Sequence, residues 1–405
     1  MVFLRIPVKR SPGYCWWFRS AGLAMCVLMV GIMLAAPEPA FGLAGGWSVV
    51  PSPDRGTGEN QLDGVSCVSA SACTAVGFYA STAATGGGLI ESWNGTKWSL
   101  VPSPNPGQST SAALNGVSCV SASACTAVGA YTTQARVAKT LAESWNGTKW
   151  SVVPSPNPGQ SASAALGSVS CLTTRACVAV GGYHAGPTGP EKTLAESWNG
   201  TKWSVVPSPN PGLASGDKAL NAVSCVSASA CTAVGHYVSN NTGTVKGLIE
   251  SWNGTRWSVV PSPNPGGNSR GKFLYGVSCL SASICTAVGS MGSKTLAESW
   301  NGTKWSVVPS PNPSHSPRGA FLLSVSCASA SACTAAGEYG DSASVFKTLV
   351  ESWNGTKWSL VPSPNPASSH NAALSSVSCA SVSACTAVGS YQNKARVPRT
   401  LIESN

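Results

Sequence analysis

The sequence predicts an all-β fold, a seven-bladed β-propeller with four antiparallel strands per blade. A unit of roughly fifty residues recurs seven times after residue 45, and self-similarity at that period indicates a propeller, a solenoid or an array. The seventh unit stops within its third strand at 400–405, TLIESN, while half a unit, GGWSVVPSP at 45–53, precedes the first. A ring closed by donating this N-terminal strand to the last blade accounts for the split, because closure removes exposed strand edges. A linear solenoid would instead require polar capping repeats.

Residues 1–44 differ in composition from the repeats. Four basic residues precede an apolar run at 21–36, and small-residue cleavage patterns follow it at 40–42 and 42–44. This order is typical of a secretory signal peptide. We therefore expect a signal at 1–44 and a secreted, extracellular propeller at 45–405 with no membrane span in its mature form. The alternative is an uncleaved membrane anchor through residues 21–36, although that run is short for a span.

The composition restricts the choice of partner. Charged residues make up 10% of the chain, and the formal charge is +10. Without residues 1–44 it becomes +7, since 21 basic and 14 acidic residues remain. No basic run or aromatic-interleaved cluster concentrates this charge, so nucleic acid is not an expected partner. We expect a monomer.

A cysteine hairpin forms the first half of each unit. In the second unit, residues 114–120 and 125–131 alternate as two strands, with Cys119 and Cys125 placed to face each other. Zinc is the alternative, but it needs four ligands and no His recurs at a regular offset. The even number and constant spacing therefore predict seven disulfides within blades. The pairs are Cys67 with Cys73, Cys119 with Cys125, Cys171 with Cys177, Cys225 with Cys231, Cys279 with Cys285, Cys327 with Cys333, and Cys379 with Cys385.

The second half of each unit reads as a second hairpin. Its strands at 140–145 and 149–153 are joined through Asn146-Gly147, which favours a two-residue type I′ turn. That turn would place Trp145 opposite Thr148, and Glu143 opposite Trp150. The prolines that follow at 154–158 cannot continue a ladder, so the sheet ends there and the chain crosses to the next blade.

The stretch AESWNGTKWSVVPSP at 142–156, with the Gly pair of AVGGY at 179–183, resembles the kelch repeat that also builds the central domain of galactose oxidase. The chain is more closely similar to secreted bacterial proteins made of this Cys-rich, Trp-Asn-Gly repeat. Most units keep only one Gly of the pair, and the cysteine hairpin is not a kelch feature. The resemblance therefore implies the propeller fold and does not imply an activity.

Variation among the seven units suggests a binding face. It falls in two connections, the one between the second and third strands and the one between blades, which emerge on the same side of an up-and-down blade. We expect this side to bind a glycan or a cell-surface protein without catalysis, although unrestrained loops would also drift. The candidate binding residues are Tyr131, Arg136, His184, Tyr237, Arg270, His315 and Arg318.

An acidic and a basic residue recur at fixed positions of the unit and are candidate functional groups. A Glu recurs once per blade, from Glu91 to Glu403, and we expect a structural role with a local partner such as the Trp indole or a backbone group. A basic residue follows each Asn-Gly-Thr turn, from Lys97 to Lys357, and could attract an anionic polymer. Solvated turn lysines are the simpler interpretation of that pattern.

Catalysis is the alternative function. A secreted hydrolase or oxidoreductase would use the mouth of the ring and would gather scattered acids, histidines and Tyr79, Tyr131, Tyr183 or Tyr237 in one pocket. The sequence shows no assembled catalytic residues, no metal ligand set and no match to a galactose oxidase copper site. No cofactor is expected.

Overall fold

The computed structural model describes residues 46–81, 86–107, 109–158, 163–186, 189–263, 271–314, 316–367 and 369–405. The predicted signal at 1–44 lies outside these residues. All regular elements in the described part are β-strands, and no helix there is long and apolar enough to cross a membrane.

The first strand and blades 1 to 3 have the following bounds. They are β1 Ser48–Val49; β2 Glu59–Ser69, β3 Ala72–Ala80, β4 Gly86–Trp93 and β5 Trp98–Leu100; β6 Ser109–Ser121, β7 Ala124–Thr133, β8 Ala138–Trp145 and β9 Trp150–Val153; β10 Ser163–Thr173, β11 Ala176–His184, β12 Glu191–Trp198 and β13 Trp203–Val205.

Blades 4 to 7 continue the series. They contain β14 Lys218–Ser227, β15 Ala230–Val238, β16 Val245–Trp252 and β17 Trp257–Val259; β18 Lys272–Ser281, β19 Ile284–Met291, β20 Lys294–Trp300 and β21 Trp305–Val308; β22 Ala320–Ser329, β23 Ala332–Gly340, β24 Phe346–Trp353 and β25 Trp358–Val361; β26 Ala372–Ser381, β27 Ala384–Gln392 and β28 Pro398–Ser404.

Each blade is one four-stranded antiparallel sheet, and the seventh takes its outer strand from the N-terminus. Its order is β26-β27-β28-β1. Ser48 pairs with Ser404 and Val49 with Glu403, and the Val50 amide donates to the Ile402 carbonyl at 2.8 Å. The seven-bladed fold and its closure by the N-terminal strand are thus confirmed.

The first strands of the blades form the inner ring, since each contacts the first strand of the next blade and β2 contacts β26. A serine preceding the first cysteine of each blade links these strands. Its hydroxyl oxygen accepts a hydrogen bond from the backbone amide of the first cysteine in the following blade, at 3.0–3.1 Å in all seven junctions. Ser378 and Cys67 complete the circle. Apolar side chains also pack between blades, as where Val76 and Ile90 of blade 1 meet Leu114 of blade 2.

The cysteine hairpin forms as predicted. Cys119 lies directly opposite Cys125 in the register of β6 and β7, and the same facing pair recurs in every blade. All seven pairs are joined as disulfides within their own blades. Each bridge therefore fastens the inner strand of a blade to the second strand.

The two cysteines of a pair differ in burial, although the sequence pattern treats them alike. The first cysteine of each pair is half-buried. The second is 2–6% exposed and belongs to the hydrophobic core of its blade. These core cysteines are Cys73, Cys125, Cys177, Cys231, Cys285, Cys333 and Cys385. They are nearly closed to solvent and have a structural role in the blade cores.

The predicted register of the second hairpin is wrong. Trp145 pairs with Trp150 and Glu143 with Val152, so four residues, 146–149, connect the strands instead of two. The Asn146 side chain explains the longer turn, because its Oδ1 accepts from the Thr148 amide, the Thr148 hydroxyl and the Lys149 amide at 2.8–3.0 Å. Gly147 has φ 92°, a backbone conformation that glycine adopts without strain.

Replacing the closing tryptophan should weaken the ring. Trp47, immediately before β1, is 8% exposed and packs in the core of blade 7, whereas Val49 in β1 is 43% exposed. We expect Trp47→Ala to lower the free energy of unfolding by about 3–5 kcal/mol. Val49→Ala should cost only about 0.5 kcal/mol. Chemical denaturation of both variants measures this, and equal costs would show that the N-terminal strand does not complete the core.

Each disulfide should contribute a similar local stabilisation. A loop of this size is expected to contribute about 2 kcal/mol through chain entropy. Cys119→Ala/Cys125→Ala should therefore lower the free energy of unfolding by at least that amount while leaving the fold intact. Denaturation curves measure the loss, and thiol titration of the unfolded, unreduced parent protein is the control. Many free thiols in that titration would contradict the assigned bridges.

Candidate binding face

The repeated glutamates fasten neighbouring blades to each other. All seven are fully buried. Each carboxyl group contacts the hydroxyl of the serine in the Pro-Ser-Pro segment that ends the preceding blade, at 2.7–3.1 Å. The expected indole partner is wrong, since Trp145 Nε1 donates to the Ala122 carbonyl in the first turn of its own blade. The glutamates are therefore inter-blade contacts.

Counting hydrogens indicates that the Glu250 carboxyl group is protonated. Ser208 Oγ lies 3.0 Å from Thr193 Oγ1 and 2.9 Å from Glu250 Oε2, and the Thr193 hydroxyl donates to the Pro209 carbonyl. Each hydroxyl has one hydrogen. All three contacts are satisfied when Glu250 donates to Ser208 and Ser208 donates to Thr193. Burial raises the pKa of Glu250 to about 8, more than the Ser208 contact lowers it, which agrees with this count.

One blade departs from the pattern. Lys272 is 2% exposed and forms an ion pair with Glu298, while its Nζ also contacts Ser262 Oγ and the Pro263 carbonyl. Position 247 of the preceding blade is Gly where five other blades have Thr, and a Cβ there would meet Lys272 Cε at 2.7 Å. The lysine therefore occupies the space, and makes the contacts, of that threonine.

The loop face is defined here as the side bearing the connections between second and third strands and between blades. Five of the seven predicted binding residues lie apart on it. Tyr131 and Tyr237 are half-buried against the cores of their own blades. Arg136 is exposed at a loop tip with φ 60°. His184 Nδ1 is hydrogen-bonded to the Gly189 carbonyl at 2.9 Å, and Arg318 is exposed before β22. Arg270 and His315 lie outside the described residues.

The sequence comparison predicts that variation is confined to the two connections, but the inner strands also vary. Each inner strand has a β-bulge four residues before its first cysteine, and the residue there has no register partner. The bulged residues differ in chemistry, being Asp63, Asn115, Gly167, Asn221, Tyr275, Leu323 and Ser375. Bulges re-aim side chains and are frequent beside functional sites. Comparing strand positions between units would have revealed this difference.

Aromatic and polar side chains from blades 4 to 6 lie together near the bulges of the inner strands, and we call them the central cluster. It consists of His236, Phe273, Tyr275, Ser290 and Glu338. The Phe273 and Tyr275 rings are stacked, with centroids 5.9 Å apart and planes at 2°, and the His236 ring lies 5.1 Å from Phe273. Tyr275 is hydrogen-bonded to Ser290 and interacts electrostatically with Glu338.

The environment of the central cluster sets the charge of its members. Burial lowers the pKa of His236, against the opposing field of Asp217, so the imidazole is neutral near pH 7. His236 Nδ1 is buried and has no hydrogen-bond partner in the described structure. Burial also raises the pKa of Tyr275. The cluster thus offers stacked ring faces with a neutral nitrogen and hydroxyl groups at their edge.

A second group lies beside it in blades 3 and 4. His184 pairs with Glu191 across β11 and β12, and the Glu191 amide donates to Asp217 Oδ1 at 3.0 Å. Burial raises the pKa of Glu191 to about 7, with His184 opposing and Asp217 adding to the shift. Within the described ranges, no three His, Cys, Asp or Glu side chains are arranged to hold a metal ion. The tyrosines named for an enzymatic pocket instead pack against the separate cores of their own blades.

Comparisons with known proteins identify no family. No family model matches the chain, and no curated protein matches it. Among solved structures, it is similar to two structures of a fucose-specific lectin from Aleuria aurantia, at 11% and 10% identity, covering 76% of this chain and 97% of each lectin chain, with TM-scores of 0.43 and 0.45. It is also similar to Sqt1 from Chaetomium thermophilum, at 8% identity over 83% of this chain and 80% of that one, with a TM-score of 0.47. At these scores and identities, no property of those proteins is transferred to this chain.

The burial of Glu143 predicts a specific pH dependence of stability. The folded pKa of Glu143 is raised to about 8 from an ordinary value of 4.5, so the folded state holds this proton more tightly than the unfolded chain does. The contribution of this bound proton to folding stability is therefore fully present below pH 4.5 and declines as pH rises through about 8. Above that pH it no longer changes. Glutamine mimics the protonated acid, so Glu143→Gln should preserve stability at pH 6 and reduce its decline towards pH 9. Melting temperatures across this range measure the effect. A large loss of stability at pH 6 would mean that Glu143 is ionised.

Proposed function

We propose that the chain is an exported, non-enzymatic binding module that holds a glycan at the loop-side mouth of its ring. Two features support export: the signal-like pattern at 1–44 and seven disulfides, which persist in oxidising compartments. We also propose that the signal is cleaved and that the mature propeller is a monomer outside the cell.

The observation that carries the site is the central cluster. Two of its rings, those of Phe273 and His236, come from positions that hold small residues in most other blades. The residue equivalent to Phe273 is Ala in four blades, and the residue equivalent to His236 is Ala, Gly or Ser in four. A scaffold that otherwise repeats its side chains so closely has therefore placed large exceptions together. This concentration is better explained by a ligand than by unrestrained loops.

The chemistry of the central cluster suits a carbohydrate. Aromatic rings combine an apolar face with polar edges, and a sugar ring likewise combines C–H faces with hydroxyl groups. The Tyr275 hydroxyl, Glu338 and the His236 nitrogen provide donors and acceptors around the stacked rings. Small ligands are held by apolar walls with a few convergent polar groups, which is the composition found here.

The exposed loop residues would extend this site. Arg136, His184 and Arg318 lie on the same face as the central cluster. They would contact parts of a larger ligand outside the ring mouth. A protein ligand would use this wider surface more than the central cluster, so the two ligand classes predict different mutational patterns.

A glycan array and a cell-wall pull-down with the mature propeller test the proposal. Tyr275→Ala should weaken binding at least about tenfold if the stacked ring contacts the sugar. Ser375→Ala changes the equivalent bulge position of blade 7 and should leave binding within about twofold. Absence of glycan binding would overturn the proposal. Protein capture that is lost on changing the loops but unaffected by Tyr275→Ala would favour a protein ligand instead.

A further inference from the structure

The opposite side of the ring, which we call the turn face, is built from the connections between first and second strands and between third and fourth strands. Unlike the loop face, it carries charge of one sign. Its basic residues are Lys97, Lys149, Arg175, Lys202, Arg256, Lys304 and Lys357, and all are exposed. None of these turns contains Asp or Glu.

The acidic residues of the repeats are all elsewhere. Seven are the buried glutamates between blades. The other seven lie in the half of each blade nearer the loop face, and they are Asp54, Glu59, Asp63, Glu191, Asp217, Glu338 and Asp341. The two partly buried ion pairs of the described residues, Lys347 with Asp341 and Arg399 with Asp54, also lie on that half.

A tryptophan stands beside the cation in six blades. Trp145 is partly exposed, and its orientation is fixed by the indole bond to the Ala122 carbonyl at 3.2 Å and by the Trp150 ring at 5.8 Å. The equivalent tryptophans make the same contacts, with indole bonds of 3.0–3.1 Å and ring separations of 5.6–5.8 Å. The turn face thus repeats a fixed aromatic ring next to an exposed cation.

A cavity of about 220 Å³ lies between blades 1 and 2 in this half of the ring. Trp93 and Ser92 of blade 1 line it, together with Ala122, Trp145 and Trp150 of blade 2. Cys73, Ile90, Val101 and Cys119 also line it, so this inter-blade groove combines aromatic and aliphatic walls with hydroxyl groups. The lining residue types recur in sequence at further blade junctions.

We propose that the turn face binds a linear polyanionic polysaccharide, with sugar rings seated in the grooves between blades and acidic groups next to the lysines. Near-identical sites at fixed spacing match a ligand that repeats, because each additional contact becomes intramolecular once one site is occupied. Charge of one sign supplies attraction and steering. The aromatic grooves provide what a charge-only surface lacks, which is a contact with the sugar itself.

Polygalacturonate is a suitable probe, with dextran as the neutral polysaccharide, polyphosphate as the polyanion without sugar, and single-stranded DNA as the nucleic acid. Binding at low ionic strength and intrinsic tryptophan fluorescence are measured with the mature propeller. We expect saturable binding of polygalacturonate with a fluorescence change, and weaker binding of dextran. No polygalacturonate binding would overturn the proposal. So would equal binding of polyphosphate without a fluorescence change, or a preference for DNA.

Charge variants locate the surface. If each cation contributes roughly twofold, replacing the six that follow the Asn-Gly-Thr turns by Gln should weaken polygalacturonate binding roughly 60-fold. Lys149→Gln/Lys304→Gln should weaken it roughly fourfold. These side chains are exposed, and the turn bonds use the backbone amides of the cationic residues, so the fold should be retained.

A matched control carries the same charge change on the other face. Lys294→Gln/Lys394→Gln removes two exposed lysines from the loop half, one at the start of β20 and one in the connection between β27 and β28. This change should leave polygalacturonate binding within about twofold. An equal loss in this control would place the binding surface elsewhere and contradict the proposal. Circular dichroism and melting curves verify that all variants are folded.

Discussion

The hydrogen bonds that run from one blade to the next are the interaction on which the rest of this structure depends. Two serines in each unit form them. The serine before the first cysteine accepts from the next blade's cysteine amide, and the serine between two prolines meets the next blade's buried glutamate. Because these bonds recur at all seven junctions, including the one from blade 7 to blade 1, the ring has no weak seam at its closure. Without β1, the long strand β28 would be left as an exposed edge and a site for aggregation.

These bonds divide every blade into two parts that differ in how far their side chains can vary from blade to blade. The turn half contains the disulfide, the inner-ring serine and the Trp pair, so its side chains are held by contacts that each blade must repeat. The loop half begins at the bulge of the inner strand, where the residue has no strand partner and can differ without disturbing the ladder. The chemistry of the chain follows this division, with diverse aromatic and acidic groups on the loop half and a uniform cationic surface on the turn half.

The repeat period and the split last unit were sufficient to predict the fold, the strand count, the closure and the disulfides, because each follows from local pattern and spacing. The second hairpin was misjudged because Asn146 uses its side chain to build a longer turn, and Asn-Gly is equally typical of the shorter one. The partner of each glutamate was missed because it comes from the preceding blade, about forty residues away. Tyr275 and Phe273 lie within a strand, where a comparison of the connections alone does not reveal them. Only the ring geometry brings them to His236.

Hydrogen exchange of the backbone amides in the ligand-free mature propeller tests the closed ring most directly. The seven amides of the first cysteines, which donate across the junctions, should exchange only by global unfolding and with equal protection. Cys67, whose amide donates to Ser378 across the closure, is the decisive one. If it exchanges as slowly as Cys171 and Cys225, the ring is closed as described. If it exchanges much faster than they do, blades 7 and 1 separate in solution, and the ring is not held by these bonds.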